Sequence, residues 1–308
     1  MTWLDKLLVL GLPLVPKPVM RRLGARYVAG TERADALELG ARLESSGYRV
    51  TYDVLGESVS RREDVEEALA EYRALFAALR ERGLELNLST KPTQMGLLID
   101  RELCFRAVSE LVGMAAPHGG FVRYEMEDSP TVDATLEVFA RLREEHGARV
   151  GCVLQSMLRR TGADVEALLA VDRPLSVRMV KGIYVEPPEV AFQDPQEIVD
   201  SFLSATRRLL EGGAAVGAAT HDDRIVSGIQ EMLTEHPEWA ERCEIQMLLG
   251  VREDLRQRAR AEGLPVRVYV PYGTHWMPYV TRRLRKNPRL ARMAVLGLFR
   301  RREELAEA

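Results

Sequence analysis

The chain has 308 residues, with 43 lysines and arginines against 46 aspartates and glutamates, which gives a formal net charge of −3. Apolar residues make up 46 % and charged residues 29 %, a mixture that excludes disordered, collagen-like and coiled-coil proteins, and the near-neutral charge gives no sign of nucleic-acid binding. At roughly 150 residues per domain, the length fits two domains or one α/β barrel with additional helices.

The three cysteines, Cys104, Cys152 and Cys243, are too scattered for a disulfide framework or a zinc site, and they suit a reducing cytosol. No segment reaches the roughly 20 apolar residues of a membrane helix. The longest apolar run, 7–16, is interrupted by Pro13 and lacks the small-residue cleavage site of a signal peptide. We therefore expect a globular, cytoplasmic protein.

In chain order, the first 46 residues predict three helices, at 2–10, 16–27 and 31–46. Eight β-rich runs follow, separated by amphipathic helical stretches, and glycines such as Gly83 and Gly263 stand where a helix ends before a strand. The strands are predicted at 47–55, 84–90, 121–127, 149–157, 175–182, 215–221, 243–250 and 266–273. The helices between them are predicted at 64–82, 101–116, 132–145, 164–170, 195–210, 224–233 and 252–262, and a last one at 289–307.

Strands that alternate with helices form parallel sheets through right-handed crossovers, and eight of them favour a closed (β/α)₈ barrel. An open doubly wound sheet is the alternative, although no G-x-G-x-x-G segment follows any strand. The predicted organisation is a helical arm at 1–46 and a barrel with a C-terminal helix at 47–308. That last helix combines apolar and arginine positions, so it either packs over the barrel or contacts an anionic membrane surface.

Polar or ionisable residues occupy the carboxyl-terminal end of every predicted strand. In a barrel of this type, those ends and the loops after them form the active site. Burying so many polar groups costs free energy unless they are paired or bind a ligand, so we expect an active site there. The cations among them predict a locally positive site for an anionic ligand. The residues are Asp53, Glu57, Lys91, Glu125, Glu127, Asp128, Gln155, Arg178, Lys181, Thr220, His221, Gln246 and Tyr269.

Tyr279, Arg282 and Arg283 follow the last strand, in the segment PYVTRRLRKNP. On a helix, Tyr279 and Arg283 share a face, with Arg282 beside them. Two adjacent guanidinium groups can bind a carboxylate through bidentate hydrogen bonds; a solvated basic helix is the alternative. His221 has no second histidine or cysteine at ligand spacing, so we expect no metal site, and there is no G-x-S-x-G nucleophile motif.

Taken together, the strand-end motifs identify a family resemblance that covers essentially the whole chain. Each motif is weak alone, but nine in the right order are highly specific. The segments are DVLGE at 53–57, STKPTQMG at 89–96, MEDS at 126–129, LQSMLRR at 154–160, VRMVKGIY at 177–184, ATHD at 219–222, EIQMLLG at 244–250, VYVPYG at 268–273 and PYVTRR at 278–283. The chain resembles flavin-dependent proline dehydrogenases of the short bacterial, single-function form.

The resemblance implies a distorted (β/α)₈ barrel that holds FAD non-covalently over the carboxyl ends of its strands. The family oxidises L-proline to Δ1-pyrroline-5-carboxylate, transfers a hydride equivalent to the flavin and passes the electrons to a membrane quinone. The flavin carries the redox chemistry, while the protein orients it and sets its electrostatics. A quinone acceptor implies peripheral contact with the inner face of the cell membrane.

The resemblance also implies roles for individual residues. Arg282 and Arg283 match the pair that binds the proline carboxylate, and Lys91 matches a lysine beside it. Residues that match side chains around the proline ring or in the active site are Tyr184, Leu248, Tyr269 and Tyr279. Residues at family flavin positions are Gln155, Arg178, Lys181, Gly182, Thr220, His221 and Gln246, with Arg178 near flavin N5.

One position departs from the family pattern. The family usually has aspartate where this chain has Glu125, in the segment E-M-E of the third predicted strand. Because glutamate is one methylene longer, it changes the reach of an acid expected near the substrate amine. A dehydrogenase of a related imino acid such as hydroxyproline is therefore an alternative, and a ligand-binding barrel without flavin is a non-enzymatic one.

Overall fold

The computed structural model describes residues 15–286, and eight parallel strands within them close into a barrel in sequential order. The strands are β1 (Arg49–Val54), β2 (Asn87–Thr90), β3 (Phe121–Tyr124), β4 (Val150–Gln155), β5 (Ser176–Val180), β6 (Ala215–Ala219), β7 (Cys243–Leu248) and β8 (Val266–Tyr272). β1 pairs with β8 along its whole length, from Arg49 opposite Arg267 to Val54 opposite Tyr272. The predicted closed barrel is confirmed and the open sheet is wrong.

Ten α-helices lie within residues 15–286. Two precede the barrel, α1 (Lys17–Gly24) and α2 (Arg33–Ser45). The others follow successive strands: α3 (Arg62–Glu81), α4 (Arg101–Ala115), α5 (Val132–His146), α6 (Thr161–Leu169), α7 (Pro195–Glu211), α8 (Asp223–Glu235), α9 (Glu253–Ala261) and α10 (Trp276–Lys286). The helices predicted at 2–10 and 289–307 lie outside the described residues.

Local sequence signals set the helix boundaries. The side chains of Asp100 and Asp194 accept hydrogen bonds from backbone amides of the first turns of α4 and α7, which satisfies donors that have no partner within the helix. Gly83 and Gly263 follow α3 and α9 with φ of +65° and +87°, a left-handed conformation that favours glycine. The predicted helix stops are therefore present before β2 and β8.

All eight strands are shorter than the runs predicted for them, and side-chain contacts accompany the difference at β2 and β3. The run 84–90 enters the sheet only at Asn87, because the Glu85 carboxylate accepts the Val50 amide at 3.1 Å. The run 121–127 leaves the sheet after Tyr124, where Glu125 and Glu127 form side-chain contacts. A side chain that replaces a ladder hydrogen bond leaves the apolar alternation unchanged, so the pattern alone overestimates strand length.

A main apolar core lies between the strands and the surrounding helices, and Cys104, Cys152 and Cys243 are buried in it as free thiols. A smaller cluster joins α1 to α10, with Met20 against the helix that carries Arg282 and Arg283. The two helices approach closely at Gly24, where a Cβ atom would overlap Val280. In the part of the chain that the structure describes, no helix has the length and hydrophobicity to cross a bilayer.

Candidate active site

The carboxyl-terminal ends of the strands and the loops after them form the mouth of the barrel. Four of its five cations lie against carboxylates within residues 15–286, so the mouth is close to charge balance and the expectation of a locally positive site is wrong. Those pairs are Lys91 with Asp53, Arg178 with Glu125, Lys181 with Asp222, and Arg282 with Glu57. The fifth cation, Arg283, has no carboxylate partner among the described residues.

Lys91 and Asp53 form the most buried of these pairs. The lysine Nζ lies 3.0 and 3.1 Å from the two Asp53 oxygens, and Asp53 is fully buried. Glu125 Oε2 is 4.0 Å from the same nitrogen. Although burial lowers it, the pKa of Lys91 is raised above its usual range by Asp53 and Glu125. Lys91 is therefore a cation fixed at the bottom of the mouth.

Glu125 uses its additional methylene to reach across to β2. Its Oε1 accepts the Ser89 hydroxyl at 2.6 Å and Arg178 Nη1 at 3.0 Å. Although burial raises it, the pKa of Glu125 is lowered by Lys91 and Arg178. The carboxylate is thus committed to protein partners. The sequence analysis did not single out Ser89 as a site residue. Its position two residues before Lys91, on the same face of an extended chain, would have indicated it.

Two other acids at the end of β3 have local structural contacts. Glu127 accepts the Thr93 amide at 2.8 Å and the Thr93 hydroxyl at 2.9 Å, which ties the loop after β2 to the loop after β3. Asp128 accepts from Thr131 at 3.2 Å at the start of the turn before α5. Gln155 donates to the Glu127 carbonyl at 2.7 Å, so β4 is joined to the same loops.

Helix α10 brings Tyr279, Arg282 and Arg283 to the mouth, and the two arginines differ in their surroundings. Arg282 is engaged by Glu57, with Nη2 2.6 Å from Oε2. Arg283 lies with its guanidinium carbon 5.1 Å from the centre of the Tyr279 ring. Among the described residues, Arg283 Nε and the Tyr279 hydroxyl are buried without a hydrogen-bond partner. Eight other side-chain atoms of the described residues are likewise buried without a partner, so what distinguishes this pair is its place at the mouth of the barrel.

The remaining residues expected around the substrate are Tyr269, Tyr184 and Leu248. Tyr269 is buried, with the Arg178 guanidinium carbon 5.4 Å from its ring centre. Although Arg178 lowers it, the pKa of Tyr269 is raised by burial and by Asp53 and Glu125, so its hydroxyl stays protonated. Tyr184 is half-buried, and burial followed by Glu127 and Glu125 raises its pKa. Leu248 ends β7.

The residues expected to hold a flavin lie at the ends of four adjacent strands, β4 to β7. They supply two cations, two amides and a hydroxyl, a donor set that suits a phosphate-bearing ring system. Gly182 has a φ of +107°, a conformation that favours glycine, and the Met157 side chain occupies the space that a Cβ atom there would need. The full set is Gln155, Arg178, Lys181, Gly182, Thr220, His221 and Gln246. These residues fit FAD, whereas no group of three metal-ligating side chains occurs within 15–286.

His221 is held neutral by its surroundings. Its Nε2 accepts the Leu248 amide at 2.9 Å, which requires an unprotonated nitrogen. Burial, followed by the charges of Arg283 and Arg252, lowers the pKa of His221 to about 3.

This lowered pKa predicts a pH dependence of stability. The unfolded chain protonates the histidine near pH 6.5 and the native chain only near 3, so native stability is complete above about 6.5 and falls as the pH decreases. Urea unfolding of wild type and H221N from pH 7 to 4 should show a smaller loss in the variant. H275N, at an exposed position, is the control, and equal pH slopes in wild type and H221N would contradict the assignment.

Comparisons with known proteins agree on one family. The family model described as proline dehydrogenase matches residues 36–292. Proline dehydrogenase of Deinococcus radiodurans is 35 % identical over 285 residues, covering 91 % of each chain. Proline dehydrogenase 1 of Bacillus subtilis is 32 % identical over 281 residues, covering 91 % of this chain and 92 % of that one.

The solved structures agree at the level of fold. Proline utilization A from Bdellovibrio bacteriovorus, inactivated by N-propargylglycine, superposes with a TM-score of 0.80 at 22 % identity. The match covers 86 % of this chain and 33 % of that larger one. The length of the family match and the identity to the bacterial relatives show that the chain belongs to the proline dehydrogenase family.

Proposed function

We propose that this protein oxidises L-proline to Δ1-pyrroline-5-carboxylate with FAD as the hydride acceptor and a membrane quinone as the final electron acceptor. The observation that carries the proposal is the Arg283–Tyr279 pair, which presents two buried polar atoms without partners among residues 15–286, at a mouth whose other cations are engaged. A guanidinium group that meets no carboxylate in the described part of the chain matches the carboxylate of an amino acid. The family membership supports the same substrate.

The described residues suggest how such a substrate is oriented. Arg283 binds one end through the carboxylate, with Lys91 supplying a second fixed charge near it. The apolar surfaces of Tyr269, Tyr279 and Leu248 enclose a small ring. Fixing the carboxylate aims one carbon–hydrogen bond of the ring in a single direction. Such positioning lowers the entropic part of the activation barrier of the reaction.

The flavin residues supply the other half of the site. When bound, FAD accepts two electrons and a proton equivalent from the substrate, chemistry that no side chain provides. Arg178 and Lys181 contribute cationic hydrogen-bond donors to this half of the site. Family membership and the donor set at β4 to β7 support FAD in this role. The quinone acceptor and a peripheral membrane contact are proposed from the family's chemistry.

An absorbance spectrum of the purified protein tests this function directly. We expect visible flavin bands that bleach on anaerobic addition of L-proline, with a product two hydrogens lighter by mass spectrometry. Hydroxyproline and larger imino acids serve as competitors that distinguish L-proline oxidation from that of a related imino acid. A colourless protein would indicate a binding barrel, and faster bleaching by hydroxyproline would indicate the related dehydrogenase.

A further inference from the structure

A series of hydrogen bonds runs inside the barrel along β7, from the amino-terminal end of the strand toward the mouth. The amide nitrogen of Gln246 donates to Glu244 Oε1 at 2.7 Å, and its carbonyl oxygen accepts from Arg178 Nε at 2.6 Å. Glu244 and Gln246 are two residues apart on one strand, so their side chains leave the same face. Glu244 is thereby connected to Arg178 without touching the mouth.

The direction of the Gln246 amide is dictated by its two neighbours. A carboxylate can only accept hydrogen bonds and a guanidinium can only donate them. The amide nitrogen must therefore face Glu244 and the carbonyl oxygen must face Arg178. In the reversed orientation, the amide nitrogen would face the Arg178 donor and the carbonyl oxygen would face the Glu244 carboxylate, so neither hydrogen bond could form. By orienting the Gln246 amide, Glu244 keeps the carbonyl oxygen of Gln246 facing Arg178 as a hydrogen-bond acceptor.

Glu244 is itself fixed by charges below it. Arg267 donates to it from Nε at 2.6 Å and from Nη2 at 3.2 Å, and Arg49 donates from Nη1 at 2.9 Å. With Gln246, four donors converge on one carboxylate. Although burial raises it, the pKa of Glu244 is lowered to about 2, chiefly by Arg267. A neutral amide here has only one accepting oxygen, which the arginines would take.

Strand β6 leaves room for the Gln246 side chain because it has a glycine at the adjacent position. Gly217 on β6 lies beside the Gln246 side chain, and a Cβ atom at that position would overlap the amide. A methyl group at Gly217 would therefore displace Gln246 without changing any charge. Two chemically different substitutions thus act on the same hydrogen bond.

We propose that Glu244 is a positioning residue for Arg178, which it holds through Gln246 in the orientation that favours the reduced state of the bound flavin. This inference rests on the proposed function, because it takes FAD as the cofactor. A cation placed beside a flavin stabilises the reduced, more negative ring, so a fixed cation raises the reduction potential. Losing the orientation of Arg178 lowers that potential.

The test measures the midpoint potential of the flavin-bound protein against reference dyes, without proline. In E244Q we expect the preference for reduced over oxidised flavin to fall about tenfold, which for a two-electron couple is about 30 mV toward negative potential. Removal of a negative charge by itself acts in the opposite direction and raises the potential. The sign of the change therefore separates loss of positioning from a simple charge effect.

Two further variants complete the experiment. G217A should also lower the potential. If E244Q does not fold, the result for G217A alone tests the proposal. R49M removes one ion pair from Glu244 but leaves the Gln246 contact, and because Arg49 is exposed its charge is screened from the site, so the potential should stay at the wild-type value. An unchanged or raised potential in E244Q or G217A, or an equal fall in R49M, would overturn the proposal. Failure of wild-type flavin to be reduced by L-proline would instead contradict the proposed function.

Discussion

Replacement of Arg283 by alanine is expected to lower kcat/KM for L-proline about 100-fold or more while the protein keeps its flavin. The substitution removes a charge-assisted bidentate contact, and hydrogen bonds to charged groups contribute about 1.5–3 kcal/mol each. Arg283 lies on α10, a different element from the flavin residues on β4 to β7, and its charge reaches only His221 among them. Steady-state kinetics with L-proline and flavin absorbance per chain measure the two effects separately.

R283K is the matched variant for this prediction. It keeps the positive charge but loses the planar fork, so we expect it to recover only part of the activity. R282K provides a comparison at the neighbouring arginine, whose guanidinium is engaged by Glu57. If R283A bound proline with near-normal affinity, measured from the change in flavin absorbance on titration with proline, the carboxylate assignment would be wrong.

The second large effect is expected from K91M, which should reduce the free energy of unfolding by about 3–5 kcal/mol. The variant leaves Asp53 fully buried without its cation, and breaking a buried pair by removing one partner has costs of this size. Removing Asp53 instead should cost less, because Lys91 keeps Glu125 at 4.0 Å. Urea unfolding of K91M, D53N and the double variant measures these differences.

The pH dependence of K91M provides its control. An unpaired buried Asp53 has a pKa raised above its unfolded value near 3.9, so the variant loses stability as the pH rises through the raised native pKa. The deficit relative to wild type should therefore shrink below about pH 4, and D53N/K91M should regain most of the loss at neutral pH. A deficit that is independent of pH would mean that lost packing, and not lost charge pairing, is the cause.

Much of the architecture could be predicted because it depends on local patterns. The run Arg49–Val54 alternates side chains on two faces of one strand, and α7 begins at Pro195 behind an aspartate cap. Eight such units have one common closed arrangement, so the barrel followed from their number and order. The positions of polar residues at strand ends followed from the same reading.

The pairing within the site could not be predicted, because it depends on positions around the closed barrel. Lys91 meets an aspartate 38 residues earlier, and Arg282 meets a glutamate 225 residues earlier. Sequence reasoning placed these charges at one end of the barrel but gave no means of matching each cation to its acid. It therefore expected a positive mouth and did not distinguish Arg282 from Arg283.

The closing contact between the first and last strands has a consequence for synthesis of the chain. Arg267 donates to the Val50 carbonyl, 217 residues earlier, and Gly24 packs against Val280. Contacts so distant in sequence form late, because loop-closure entropy must be overcome first. As the chain leaves the ribosome, β4 to β7 are available before β8 and α10 exist. The half of the mouth that suits the flavin is thus synthesised first, and the site is completed only after β8 and the arginine helix have followed.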